Sequence, residues 1–184
     1  IKLKIYCRSM ENLMEMLEHG QLDVALSYKP LQSYDDIDSH ILFNSNLCVI
    51  AGKDNPVAKK ERIRLAELEN LPLVLPAKGL QARNAFDSLL YGQNFKFDVR
   101  LEINDLSMLL DMVSRTNLVT LLSGATIHSN KNFVAISLDH PHSEMQGSFH
   151  LLKGTYCKNA TKEFLKMLVE NNSFLMAMEA IANR

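Results

Sequence analysis

The sequence predicts an α/β protein with mostly parallel sheets, and three observations carry that prediction. Short apolar runs of strand character, such as "PLVLP" (72–76) and "LVTLLS" (118–123), recur along the chain. Between them lie stretches whose apolar residues fall at helical spacing. The two kinds of segment alternate, which puts helices on the faces of a sheet whose neighbouring strands run parallel.

"IKLKIYC" (1–7) alternates apolar and polar residues, as a half-buried strand does. Ser9 suits an N-cap for a helix carrying Met10, Leu13, Met14 and Leu17, and Gly20 suits its stop. "LDVALSY" (22–28) reads as a strand, with Asp23 at its start. A carboxylate there is expected to accept hydrogen bonds from backbone N–H groups of the turn, as a structural cap rather than a catalytic acid. "ILFNSNLCVIAGKD" (41–54) reads as a long strand or hairpin, and "RLAELENL" (64–71) as a short helix halted before Pro72. "PLVLP" is a buried strand whose prolines sit at its ends, where a missing donor costs little.

"QARNAFDSLLY" (81–91) is amphipathic, with Phe86, Leu89 and Leu90 on one face. "DVRLEI" is a strand, followed by a helix using Leu106, Leu109, Leu110 and Val113. "LVTLLS" and "NFVAISLD" are strands around a short helical turn, and "GSFHLLKG" is another strand. Thr161 is expected to open a final helix running towards Ala182.

Composition narrows the function classes. With 184 residues and 47% hydrophobic content, the chain can bury a core as one domain or two small lobes. Its net charge of −1 supplies no broad basic face for nucleic acid or anionic membrane. No window approaches the ~18 apolar residues of a membrane span. The chain begins without Met or a signal peptide and is therefore expected to be an excised piece. Three cysteines without CxxC spacing suit a reducing cytosol, with Cys7 and Cys48 expected as small buried hydrophobes.

No catalytic constellation, phosphate loop or dinucleotide fingerprint is present in the sequence, so neither a catalytic residue nor a cofactor is assigned. His140-Pro141-His142 is the best metal candidate, but two imidazoles need further ligands and none lies nearby, so no metal site is assigned. His150, inside a strand, reads as a packed core histidine. A different set collects where strands end and helices begin. Arg8 and Ser9 follow the first strand, and Tyr28 ends the second. Lys78, Gly79, Gln81 and Arg83 follow "PLVLP", and Asn104 and Asp105 follow "DVRLEI". Helix N-termini with free N–H groups favour anions, and in α/β sheets ligands bind outside the carboxyl ends of strands. These residues are the candidate site.

The order of pieces resembles the effector-binding domain of LysR-type transcriptional regulators. "ENLMEMLEHGQLDVALSY" matches its helix–Gly–x–Leu–Asp–strand segment. "FNSNLCVIAGKDNPVAKKERIRLAELENLPLVLP", "LEINDLSMLLDMV", "LVTLLS", "VAISLD" and "GSFHLLKG…ATKEFLKML" follow in the family's order over nearly the whole chain. The resemblance implies a two-lobed fold similar to type 2 periplasmic binding proteins. One lobe would be 1–43 with 147–184 and the other 44–146, hinged by crossover strands near 44–49 and 146–151, with the ligand in the cleft. By position it implies effector contacts from Arg8, Ser9, Met10, Tyr28, Lys78, Gly79, Gln81, Arg83, Asn104, Asp105 and Gly147.

The resemblance also implies a cytoplasmic bacterial protein without catalysis or membrane contact. Its partners would be a small-molecule effector, further copies of itself as homodimer or tetramer in the full-length protein, and DNA only through an N-terminal domain that is absent here. The resemblance further implies that the first strand and helix of the effector domain would lie outside this sequence. The family's glycine-rich turn is here "SRTN" and its usual proline is Ser123, so no contact is carried over from that turn. Arg8, Lys78 and Arg83 suggest an anionic effector, since guanidinium forks match carboxylates. The alternative is a stand-alone solute-binding protein of the same fold. An enzyme on this fold would need an acid–base pair, for which Asp105 with Lys78 is the nominee.

Overall fold

The computed structural model describes residues 2–30, 33–127 and 130–170. The chain divides into two compact units: one is built from residues up to Asn44 and from Gln146 onward, the other from Ser45–Met145.

In the first unit, α1 (Met10–Glu18) starts on Ser9, whose hydroxyl accepts from the Asn12 N–H at 3.4 Å. It stops at Gly20, which takes φ +66, while Gln21 N–H donates to Met16 O and Gly20 N–H to Leu17 O. Those two bonds satisfy carbonyls that the helix end leaves open, and only glycine enters that conformation without a steric penalty. The helix buries Met10, Met14 and Leu17 against Ala25 and Ile37. β1 (Ala25–Tyr28) pairs antiparallel with β8 (Glu144–Leu152), Ala25 opposite His150 and Tyr28 opposite Gly147. α4 (Asn159–Glu170) buries Thr161 and Leu168; the expected course from residue 171 towards Ala182 lies outside the described residues.

In the second unit, the far half of β2 (Ile37–Gly52) pairs antiparallel with β6 (Thr120–Ser123) and β7 (Phe133–Leu138). β7 also pairs in parallel with β3 (Arg62–Ile63). β4 (Pro72–Pro76) and β5 (Asp98–Ile103) pair in parallel, joined by α2 (Gln81–Leu89). The core of this unit gathers Cys48, Ile50, Val74, Leu122 and, from α3 (Leu106–Arg115), Leu109 and Val113. The sheets are thus mixed and open. Parallel pairing appears where a helix carries the chain back, as α2 does, while the long strands β2 and β8 make antiparallel ladders.

Three sequence expectations need correction. Residues 2–8 form no strand and are exposed, Leu3 and Ile5 each at 58%. No strand among the described residues takes their backbone groups, and alternation without a neighbour cannot make a ladder. Cys7 is accordingly exposed, whereas Cys48 is buried and burial raises its thiol pKa. Asp23 lies before β1 rather than inside it and caps no turn. It is exposed and pairs with Lys158 Nζ at 2.8 Å.

Candidate functional site

The predicted site residues fall into one set per unit. In the second unit the turn after β4 and the turn after β5 are brought together. β4 and β5 are neighbours, Pro76 opposite Ile103, and Ala77 N–H extends the ladder to Ile103 O at 2.9 Å. Lys78, Gly79 and Gln81 therefore stand at the same sheet end as Asn104 and Asp105. Gly79 takes φ +88, a conformation other residues rarely adopt, and turns the chain into α2.

The two helices leaving this end differ at their first turns. α3 is capped by its own Asp105, whose carboxylate accepts from Met108 N–H at 2.7 Å. α2 begins after Leu80, which has no side-chain oxygen to offer. Its first-turn N–H groups thus receive no side-chain cap, and exposed Lys78 lies just before them. Gln81 Nε2 is buried with no hydrogen-bond partner, which among the described buried side-chain N and O atoms is true of only one other, Thr120 Oγ1. A donor left in that state is costly and is met when an acceptor arrives.

Arg83 does something different. Its guanidinium donates from Nε to Asp87 Oδ1 at 2.8 Å and from Nη1 to Glu102 Oε1 at 2.8 Å and Pro76 O at 3.2 Å. Its side chain is only 9% exposed. Burial opposes its charge, but Glu102 and Asp87 outweigh that and raise its pKa, while Arg83 and then Lys78 lower that of Glu102. Arg83 pins the first half of α2 to the ends of β4 and β5, so it fixes where the Lys78–Gln81 turn sits.

In the first unit, Arg8 is exposed and its Nη1 donates to Cys7 O. Ser9 is engaged as the cap of α1, and Met10 lies in the core beside Met14 and Leu17. Tyr28 closes β1 opposite Gly147, which is itself buried. His150 is fully buried, bonded to Ser27 Oγ and Ser39 Oγ, each at 2.8 Å. Sequence reasoning missed Ser27, Ser39 and Phe43, the last edge-on to Tyr28 with ring centres 6.1 Å apart. It also missed Glu102; Asp87 at i+4 from Arg83 was a readable signal, but a partner nineteen residues away was not.

Among the described residues no group of three or more His, Cys, Asp or Glu side chains could hold a metal, and no helix is long and apolar enough to cross a membrane. His140 and His142 contact one another, and His142 N–H donates to His140 Nδ1, a local turn arrangement.

The profile of the LysR substrate binding domain matches residues 1–173. Over 104 residues the chain is 28% identical to the HTH-type transcriptional activator CmpR of Synechocystis, covering 56% of this chain and 34% of that protein. Over 148 residues it is 22% identical to a probable nitrogen assimilation transcriptional activator of Synechocystis, covering 78% and 48%. The chain thus spans a third to a half of these curated relatives. Among solved structures it is similar to the Synechocystis CcmR regulatory domain in complex with 2-PG, with TM-score 0.76 and 21% identity over 88% of this chain and 79% of that one. It is also similar to the effector-binding domain of QuiR in complex with shikimate, with TM-score 0.73 and 17% identity over 91% and 79%.

Proposed function

The chain belongs to the LysR substrate-binding domain family, and we propose that it is the effector-sensing part of a bacterial, cytoplasmic transcription regulator whose ligand is a small, oxygen-rich anion. The family is one of ligand-sensing domains, without catalysis. One observation supports the ligand class above others. At the shared end of β4 and β5, α2 opens with no side-chain cap, Lys78 lies beside it, and Gln81 Nε2 in the same turn is buried without a hydrogen-bond partner. Such a turn offers donors and positive potential together, and a carboxylate or phosphate oxygen answers both.

In this reading each unit supplies one set of contacts. Arg8, Ser9 and Tyr28 come from the first; Lys78, Gly79, Gln81, Asn104 and Asp105 come from the second. Met10 and Arg83 serve the site by holding α1 and α2 in place, because the one is in the core and the other is paired on both sides. The lobes, 1–43 with 147–184 and 44–146, would shift between two arrangements that the ligand binds unequally. A DNA-binding module and further copies of the chain would read that shift out. That the curated relatives are transcriptional activators supports this reading over a stand-alone solute-binding protein.

Backbone amide shifts during titration test the site. With 2-PG or shikimate as probe, the amides of 78–83 and 104–106 should move together and saturate. Saturable binding that leaves both turns unmoved would overturn the assignment.

A further inference from the structure

The glycine at the end of β1's ladder has an unusual reason to be a glycine. Gly147 is not among the residues with positive φ, which are Gly20, Gly79, Gly92 and Gly154, so its backbone would accept any side chain. Space is what restricts one, unless the Phe43 ring moves. A Cβ placed on Gly147 would overlap Cε1 and Cζ of Phe43 and stand 2.8 Å from its Cδ1. β8 lies between β1 and β2 in the sheet, so Phe43 on β2 reaches across Gly147 towards Tyr28, which is paired with that same glycine. The Phe43 and Tyr28 rings meet edge to face, centres 6.1 Å apart and planes at 79°. An aromatic laid over a cross-strand glycine covers backbone that would otherwise lack packing, and an edge-to-face pair fixes the relative orientation of its rings.

We propose that Phe43 is the positioning residue for Tyr28: its ring, seated in the space Gly147 leaves open, sets the orientation of the Tyr28 ring, and Gly147 acts through that space rather than through a ligand contact of its own. The importance of Tyr28 rests on the reading of the site given above; the packing relation does not. The layer also sits where both chain passages leave the first unit. Asn44 and Gln146 follow Phe43 and precede Gly147, and Gln146 Nε2 donates to Asn44 Oδ1 at 3.2 Å. Lys29 N–H donates to Gln146 O at 2.7 Å, which ties the end of β1 to the same place.

Nuclear magnetic resonance on Gly147→Ala, Phe43→Leu, Phe43→Tyr and the Gly147→Ala/Phe43→Leu double variant tests this without any ligand. In the wild type the Gly147 α-protons should be shifted upfield by the Phe43 ring, and Phe43→Leu should abolish that shift. Gly147→Ala and Phe43→Leu should each move the Tyr28 ring signals while those of Tyr91 stay, and Phe43→Tyr should restore the wild-type pattern. The double variant should lose little more thermal stability than Gly147→Ala alone, because residues in contact are not additive. Unmoved Tyr28 signals in both single variants, or strictly additive losses, would overturn the proposal. A separate titration with 2-PG and shikimate keeps the two ideas apart. If Phe43→Leu moves Tyr28 and neither probe binds the wild type, Phe43 still positions Tyr28 and the ligand reading alone falls.

Discussion

His150 is the residue whose surroundings dictate most. Ser27 Oγ donates its single proton to Tyr28 O at 2.9 Å, so towards the imidazole it can only accept. Nε2 therefore carries the hydrogen, and Nδ1 accepts from Ser39. The neutral ring is satisfied on both sides without placing a charge in the interior. Burial, which outweighs a hydrogen bond to the Ser27 backbone and is reinforced by His40, lowers its pKa from 6.5 to about 4. The unfolded chain thus binds a proton between pH 6.5 and about 4 that the folded chain refuses, and stability falls as pH drops through that window. The full loss is about 3 kcal/mol. Urea unfolding at pH 7 and pH 4.5 should show most of it, and His150→Gln should flatten the slope; an unchanged slope in that variant would assign the acid sensitivity elsewhere.

At the scale of elements, two helices make opposite predictions from their first turns. Asp105→Ala removes the cap of α3 and should cost about 1 kcal/mol, with Asp105→Asn recovering most of it, by chemical denaturation. α2 has no side-chain cap to remove and depends on Arg83 instead. Arg83→Ala leaves Asp87 and Glu102 without their shared cation and should cost about 2 kcal/mol, where a wholly exposed arginine would cost almost nothing. The sequence placed Arg83 among the implied effector contacts, whereas its two carboxylate partners make it part of the scaffold. Position i+4 could have disclosed Asp87 but nothing could have disclosed Glu102, which reaches Arg83 only because β5 lies beside β4. The same limit explains "IKLKIYC" and "PLVLP". Periodicity tells which face of a strand is apolar, and the prolines told where β4 ends. It cannot supply a neighbour, and among the described residues no strand pairs with residues 2–8. The helices α1 and α3 were legible because Ser9, Gly20 and Asp105 carry their boundaries locally.

For the molecule as a whole, the order of segments was a stronger signal than any residue. Family membership and the open α/β fold agree with a reading made from that order. What the order could not disclose is which candidate residues are already engaged at home: Ser9 in a cap, Met10 in a core, Arg83 between two carboxylates. The proposed ligand is an oxygen-rich anion, and a ligand that binds only the folded state must stabilise it. Thermal midpoints across carboxylates, phosphates, neutral sugars and amines test it most directly. At a hundredfold excess over its dissociation constant, an anion should stabilise the wild type by about 2.7 kcal/mol and Lys78→Ala less at the same concentration. Stabilisation by neutral or cationic ligands alone would contradict the account.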